Sequence, residues 1–277
     1  MRSMLKLIRF RWLASIVLVV VPSADRVARA APDPQRETRE TLGASLNLPG
    51  LQNTLETSWR WDGAALGVGH VLSPSFTRIN LWAEWVPTRP IAVRVGIEPT
   101  AYFGRSGALV SYDSYDADFS KDSRDAREDE QAGFGGRAYA SPSLRLRAGR
   151  FVATSTADFE WWRTDATGPL YYEPARDTLL EAGGDRLWTL TTVVLFETEG
   201  AQGQKLAVGA NHRRLRVFDA PENDAQRLGG VIIWTLGERR FGVRQPTVLA
   251  NGGVYLEDRF KEGEVFVTVA VRFLLGR

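Results

Sequence analysis

Residues 51–62, Leu-Gln-Asn-Thr-Leu-Glu-Thr-Ser-Trp-Arg-Trp-Asp, alternate in polarity from one position to the next. One parity carries Leu51, Leu55, Trp59 and Trp61, whereas the other parity is wholly polar. Successive side chains point to opposite faces of a β-strand, so this stretch predicts a strand with one apolar face and one polar face.

The same alternation returns along the chain, and about ten segments carry it. Short turns are predicted at 88–90, 141–143, 200–203 and 237–240. They alternate with longer polar links, of which the long outer loops are predicted over 63–74, 111–131 and 164–184. This segregation of loops by length is typical of a barrel that has both termini on the short-turn side. The pattern therefore predicts an all-β, up-and-down antiparallel transmembrane β-barrel of about ten strands, with eight or twelve as alternatives and a soluble periplasmic β-protein as the rival fold.

The first thirty residues have the features of a cleaved Sec signal peptide. A basic segment with Arg2 and Lys6 precedes an apolar run from Trp12 to Val21, and Ala28-Arg29-Ala30 supplies a cleavage site. The apolar run is shorter than the about 20 residues that a membrane-spanning helix needs. We predict a signal peptide over 1–30, a periplasmic N-terminal tail over 31–42 and the barrel over 43–277.

Removal of the signal peptide would change the sign of the net charge of the chain. It holds six of the 35 basic residues and one of the 33 acidic residues, so the mature chain would carry 29 basic and 32 acidic residues, a net charge of −3. A nucleic-acid partner is therefore not expected. The chain contains no cysteine, which excludes disulfides, thiolate metal sites and cysteine nucleophiles.

The polar parity of the first predicted strands carries charges of both signs. These residues are Glu56 and Arg60, then Arg78 and Glu84, then Arg94 and Glu98. If the apolar parity faces lipid, these charges point into the lumen, where opposite charges on adjacent walls satisfy one another. We expect a charge-paired, largely filled lumen. A narrow solute or ion channel is the alternative.

Two further candidate sites lie in the predicted loops. His70 falls in the loop over 63–74, where it could act as the general base of an outer-membrane hydrolase if Asp62 or the acidic loop came close. Neither histidine matches a catalytic motif, so we expect no enzymatic activity and no cofactor. In the acidic loop over 111–131, the residues that offer oxygen ligands to a cation are Asp116, Asp118 and Asp122. A solvated acidic surface is the simpler interpretation of that loop, and we expect no dedicated metal site.

The last predicted strand alternates Val265, Val267, Val269 and Val271 and has Phe273 near its end. Together with the signal peptide and the alternating strands, it resembles the bacterial outer-membrane β-barrel proteins as an architectural class, without pointing to a specific family. The resemblance implies the cell envelope of a Gram-negative-type bacterium, contact with outer-membrane lipid and lipopolysaccharide, and folding by the barrel-assembly machinery. We expect a structural or surface-interaction role in the outer membrane; the extracellular ligand, conduction by the lumen and the oligomeric state stay open.

Overall fold

A computed structural model describes residues 37–47, 50–105, 108–127, 129–240 and 243–275. The strands are β1 (Glu37–Asn47), β2 (Gly50–Trp61), β3 (Ala64–Leu72), β4 (Phe76–Thr88), β5 (Ile91–Phe103), β6 (Ser111–Tyr112), β7 (Ala132–Ala148), β8 (Phe151–Thr164), β9 (Leu170–Glu173), β10 (Thr178–Glu181), β11 (Asp185–Glu199), β12 (Lys205–Val217), β13 (Ala225–Thr235), β14 (Arg239–Arg240), β15 (Val243–Glu257) and β16 (Val265–Leu275). One short helix, α1 (Lys121–Asp125), lies in the acidic loop. Within these ranges, no helix has the length and apolar character needed to cross a membrane.

Twelve of the described strands form one antiparallel ring. Around the ring the order is β1, β2, β3, β4, β5, β7, β8, β11, β12, β13, β15 and β16. Because β13 also pairs with β15, and β16 pairs with both β15 and β1, the pairings return to their starting point and the sheet closes as a barrel. The two-residue strand β14 pairs antiparallel with the start of β15, and β6, β9 and β10 form a separate three-stranded sheet.

The connections alternate between the two ends of the barrel because neighbouring strands are antiparallel. One end, here called the loop end, carries the long connections 104–131 and 165–184. The other end, here called the turn end, carries the turns at 62–63, 89–90, 149–150 and 200–204, together with the start of β1 and the finish of β16.

The two faces of the ring have opposite chemistry. On β16, Val267 and Val269 are exposed on the outside, whereas Phe266 and Thr268 are buried inside. The outward positions of the described strands carry most of the exposed large apolar side chains, while the buried interior contains many polar and charged side chains. An apolar exterior around a polar interior is the arrangement of a transmembrane barrel, because lipid rather than water covers the outside. The architectural class predicted from the sequence is confirmed.

Exposed aromatic side chains mark both ends of the apolar surface. At the turn end they are Trp61, Trp85, Phe151 and Trp234, and at the loop end Phe134, Trp161 and Phe218. On β8, Phe151 and Trp161 lie about ten residues apart, a height of about 25 Å for a tilted strand. That height matches the apolar band of outer-membrane barrels, about 25 Å between two aromatic girdles.

The predicted count of about ten strands is wrong, because two strands were taken for other segments. Strand β3 occupies most of the outer loop predicted over 63–74, and β1 overlaps the N-terminal tail predicted over 31–42. In β3 the inward positions include Gly67 and Gly69, so the sequence looks like a glycine-rich loop. In β1 the first residues, Glu-Thr-Arg-Glu-Thr, are polar on both parities and show no alternation.

The turn predicted at 141–143 is also wrong. Strand β7 runs through these residues to Ala148, and the chain turns at Gly149, whose φ of 58° is readily adopted by glycine. The polar triplet lies inside the strand because the Ser141 hydroxyl faces the lumen, where it donates a hydrogen bond to Asp158.

Candidate functional site

The second long connection folds into the barrel instead of standing in solvent. Its strands β9 and β10 form a hairpin, and β6 of the acidic loop pairs with β9. This three-stranded sheet is here called the plug. Tyr171, Glu173, Leu179 and Leu180 of the plug are completely buried, although they point to both of its faces. A small sheet that is buried on both faces must lie between two other layers.

The inner face of the plug packs on the barrel wall. Tyr171 and Leu180 belong to an apolar cluster with side chains of β4, β5, β8, β11 and β12, namely Phe76, Tyr102, Trp162, Leu187, Leu215 and Val217. The outer face packs under the acidic loop. There the plug residues Tyr112, Leu170, Tyr172 and Leu179 form an apolar cluster with Val110 and Phe119 of the connection 104–131. The loop end of the lumen is therefore closed by the plug and then covered by the acidic loop.

A row of alternating charges ties the plug to one side of the wall. The wall supplies Arg78, Glu98, Arg137 and Glu160 from four consecutive strands of the ring, and the plug hairpin supplies Glu173 and Arg176. The Arg78 guanidinium lies 3.2 Å from Glu173 and 3.7 Å from Glu98, and Glu98 lies 2.6 Å from Arg137. Arg137 and Arg176 both contact Glu160.

Three positive and three negative groups thus compensate one another in a place that excludes water. All six side chains are buried. A buried charge is costly unless it is paired and hydrogen-bonded. The row therefore stabilises the docked plug, because undocking would leave the wall charges without Glu173 and Arg176.

Neutral donors complete this row. The Tyr102 hydroxyl donates to Glu173 at 2.6 Å, and the Trp162 indole N–H donates to Glu160 at 2.7 Å. The Trp162 ring also faces two cations, with the guanidinium carbons of Arg78 and Arg137 at 5.3 and 5.5 Å from its centroid. Cation–π contacts of this kind strengthen when they are desolvated.

A second ion pair ties the plug to the opposite side of the ring. The Lys261 ammonium, in the connection before β16, lies 2.6 Å from the carboxylate of Asp177, which also accepts a hydrogen bond from Tyr172. Burial works to raise the pKa of Asp177, but the Lys261 and Arg124 charges and the hydrogen bonds outweigh it and hold that pKa well below its ordinary value. Burial works to lower the pKa of Lys261, and Asp177 outweighs it, so that pKa is raised.

The predicted lumen charges lie on the inner face, in two groups. Arg78 and Glu98 belong to the row beneath the plug, whereas nearer the turn end Glu84 lies 3.0 Å from Arg94 and 3.9 Å from Arg60. Glu56 is half-buried in the lumen and forms no ion pair with another side chain that the structure describes.

The sequence interpretation missed four of the six charges of the row, and it missed the second ion pair. The missed charges of the row are Arg137, Glu160, Glu173 and Arg176. Glu160 and Trp162 share one parity of a predicted strand, which is a signal that could have placed them in the lumen. Glu173, Arg176 and Asp177 fall in the outer loop predicted over 164–184, whose sequence has no periodicity, and no local pattern shows that this segment folds inward.

His70 is not in a loop. It lies on β3 with an exposed side chain on the outer face, and its Nε2 is 2.8 Å from the hydroxyl oxygen of Thr77. Asp62 lies at the other end of the β2–β3 hairpin, at the turn end, so the predicted approach of Asp62 to His70 is wrong.

The three aspartates proposed to bind a cation have separate roles. Asp116 pairs with Arg259 at 2.9 Å, Asp118 accepts the backbone N–H of Ser120 at 2.8 Å, and Asp122 lies in the first turn of α1. In the part of the chain that the structure describes, no group of three or more histidine, aspartate or glutamate side chains could hold a metal ion. The proposed cation-binding loop is not assembled.

Comparison with known proteins adds a fold-level likeness only. No protein-family model and no curated protein matches the sequence. Among solved structures the chain is similar to the beta domain of the Bordetella autotransporter Brka, at 13% sequence identity and a TM-score of 0.43, with 86% of this chain and 96% of that chain covered. At this level of similarity, the barrel fold rests on the strand pairings described above.

Proposed function

We propose that this chain is an outer-membrane β-barrel with a closed mouth, which serves a structural or surface-interaction role. The observation that carries the proposal is the plug, which is joined by buried ion pairs to opposite sides of the ring. Export by the signal peptide over 1–30, which lies outside the described residues, is part of the proposal. So are contact with outer-membrane lipid and lipopolysaccharide, and folding by the barrel-assembly machinery.

The surface that would meet a partner is the acidic loop. Its carboxylates at Asp113, Asp116 and Asp129 are exposed above the plug. The docked plug holds this loop in place, because Val110 and Phe119 pack on the plug and so order the backbone between them. Binding residues often lie on loops that a rigid scaffold positions in this way.

A narrow channel is the second candidate, and the strand count favours it. A ring of twelve strands encloses more space than the predicted ring of ten, and its diameter grows roughly with the strand number. The lumen near the turn end is polar, with Arg60, Glu84 and Arg94 on its wall. Conduction would require the plug to leave the mouth.

Single-channel recording in planar bilayers separates the two candidates. The wild-type chain is expected to give no stable conductance steps. A triple variant, Glu173→Gln, Arg176→Gln and Asp177→Asn, removes the plug partners of both ion-pair groups and is expected to give frequent openings.

The matched control changes three charges at exposed sites, Asp113→Asn, Arg163→Gln and Glu181→Gln, and should behave as wild type. Stable conductance of the wild-type protein would refute the closed barrel and favour the channel.

A hydrolase that uses His70 receives no support from this geometry. The imidazole lies on the outer face, and no carboxylate among the described residues is hydrogen-bonded to it. The proposal therefore assigns His70 no catalytic role.

A further inference from the structure

Two arginines in the lumen lack the carboxylate partners that the other buried arginines have. Arg213 on β12 and Arg227 on β13 are directly opposite one another in the strand register, and both point inward. Their exposed fractions are 7% and 6%. Among the described residues, neither arginine forms an ion pair with an acidic side chain, and the nearby Asp177 is paired with Lys261 instead. The Nη2 atom of Arg213 is buried and has no hydrogen-bond partner.

Two buried guanidinium groups side by side are unfavourable unless an anion binds near them. Like charges directly opposite on neighbouring strands repel each other, and burial strengthens the repulsion because little water screens it. Aromatic rings supply part of the compensation, since the Arg227 guanidinium carbon lies 5.7 Å from the Tyr255 centroid and 5.2 Å from that of Phe266. Ring faces do not satisfy the N–H donors of Arg213.

A small cavity lies at the two guanidinium groups, beneath the plug. Its volume is about 20 Å³, and the polar side chains that line it are Arg176, Asp177, Arg213, Arg227, Tyr255 and Asp258. Asp177 is bound by Lys261, and Asp258 accepts the backbone N–H groups of residues 260 and 261 at 3.0 Å. Both carboxylates are thus held by other partners and leave the arginines uncompensated.

Charge and size together define the missing group. Arg176 also lines the cavity, but its charge is compensated by Glu160 within the row of three positive and three negative groups. Of the remaining charges at the cavity, Arg213, Arg227 and Lys261 are positive and Asp177 and Asp258 are negative, so one positive charge is left over. A cavity of about 20 Å³ holds about one water molecule. A single monovalent, monoatomic anion fits both values, whereas a phosphate or sulfate is too large.

We propose that the lumen binds one halide ion, such as chloride, between Arg213 and Arg227. The ion accepts N–H donors from both guanidinium groups and removes their repulsion. The proposal stands independently of the closed-barrel function, because it concerns the wall beneath the plug and does not require the lumen to conduct or to be silent.

The test is heat unfolding of the full chain in detergent, followed by the change in gel mobility, with sodium chloride or bromide replaced by sodium gluconate at constant ionic strength. Chloride and bromide are expected to raise the midpoint by a few degrees in a saturable manner, because a ligand of the folded state stabilises it. Gluconate is too large for the cavity and should leave the midpoint unchanged.

Arg213→Gln and Arg227→Gln should each lose the halide-dependent rise, while Arg214→Gln, on the outward face of the same strand, should keep it. An equal response to chloride and gluconate, or a full chloride response in Arg213→Gln, would overturn the proposal. A saturable response to sulfate that depends on Arg213 would overturn the halide assignment.

If the glutamine variants do not fold, two measurements still decide. Arg213→Lys keeps the charge but loses the guanidinium fork, and it should need a higher chloride concentration for half-saturation. In bromide-soaked crystals of the wild-type chain, the anomalous signal should show a peak between the two guanidinium groups. A map without that peak would refute the site.

Discussion

At the scale of single residues, the space inside the lumen decides which side chains the inward positions can carry. A Cβ added at Gly67 would lie 2.2 Å from the Trp82 ring, whereas one added at Gly69 would meet its nearest atom, the Asn80 Cβ, at 3.5 Å. The Trp82 ring cannot easily withdraw, because the Arg94 guanidinium carbon lies 3.9 Å from its centroid. The two glycines therefore differ in what they tolerate.

We predict that Gly67→Ala lowers the free energy of unfolding by about 1–3 kcal/mol, because the added methyl group overpacks the site and displaces Trp82. Gly69→Ala should be neutral or slightly stabilising, because alanine restricts the unfolded chain. Urea unfolding in detergent micelles, followed by tryptophan fluorescence, measures both values. Equal destabilisation by the two substitutions would show that Trp82 does not determine the effect.

Parity predicted some of the lumen residues and not others. The residues of β4 and β5 alternate in polarity, so sequence spacing predicts the common face of Arg78 and Glu84 and that of Arg94 and Glu98. Arg176 lies in a loop, where side chains follow no period, and its contact with Glu160 depends on the path of the whole connection.

At the scale of elements, the ion pair between Asp177 and Lys261 holds the plug in place. The shifted pKa values of these two groups determine how docking of the plug depends on pH. The lowered pKa of Asp177 stabilises docking above the ordinary aspartate value of about 3.9, and this contribution is lost only as the pH falls through the lowered pKa. The raised pKa of Lys261 stabilises docking fully below the ordinary lysine value of about 10.4, and this contribution is lost only as the pH rises through the raised pKa.

Docking of the plug is therefore expected to be independent of pH between about pH 5 and pH 9. The chain contains no cysteine, so a Leu180→Cys variant carries one buried thiol, on the inner face of the plug, whose labelling rate reports undocking from the barrel wall once it is corrected for thiolate formation. Protection of this thiol, relative to the unfolded chain, should stay constant over that range.

Adding Lys261→Gln should reverse this behaviour. Asp177 then loses the largest of the charges that oppose burial and keeps Arg124 and the Tyr172 hydroxyl, so burial raises its pKa above that of the wild type. Protection should increase as the pH falls and the carboxylate gains a proton. Adding Arg259→Gln instead removes an exposed partner of Asp116 and should leave the profile flat. A flat profile in the Lys261→Gln variant would mean that the ion pair does not control docking.

At the scale of the whole molecule, the barrel has its apolar surface on the outside and its charges within. Ile97, in the middle of β5, and Ile91, at the turn end of the same strand, are on the same outward face with exposed fractions of 52% and 42%. Their difference in depth should decide the cost of a charge, because the centre of a bilayer cannot hydrate it.

Ile97→Arg is predicted to destabilise the folded barrel by about 2–4 kcal/mol, and Ile91→Arg by about 0–1 kcal/mol. Reversible folding into phospholipid vesicles, followed by gel mobility, measures both. Similar small costs at both positions would indicate that water, and not lipid, covers this surface.

The sequence by itself determined the class of fold. Alternation of polarity is a local property of each strand, and it shows which face is apolar wherever both parities carry side chains of distinct polarity, as in β2 and β16. It failed for β3, where glycines occupy inward positions, and for β1, which starts with polar residues on both parities.

Only the tertiary structure decided the twelve-stranded ring, the inward path of the plug and the pairing of Arg213 with Arg227. These features depend on contacts between residues far apart in the chain, such as Arg78 with Glu173 and Asp177 with Lys261. The energy of a buried ion pair exists only once both partners have been brought together and water has been excluded, so no local pattern in the sequence records it.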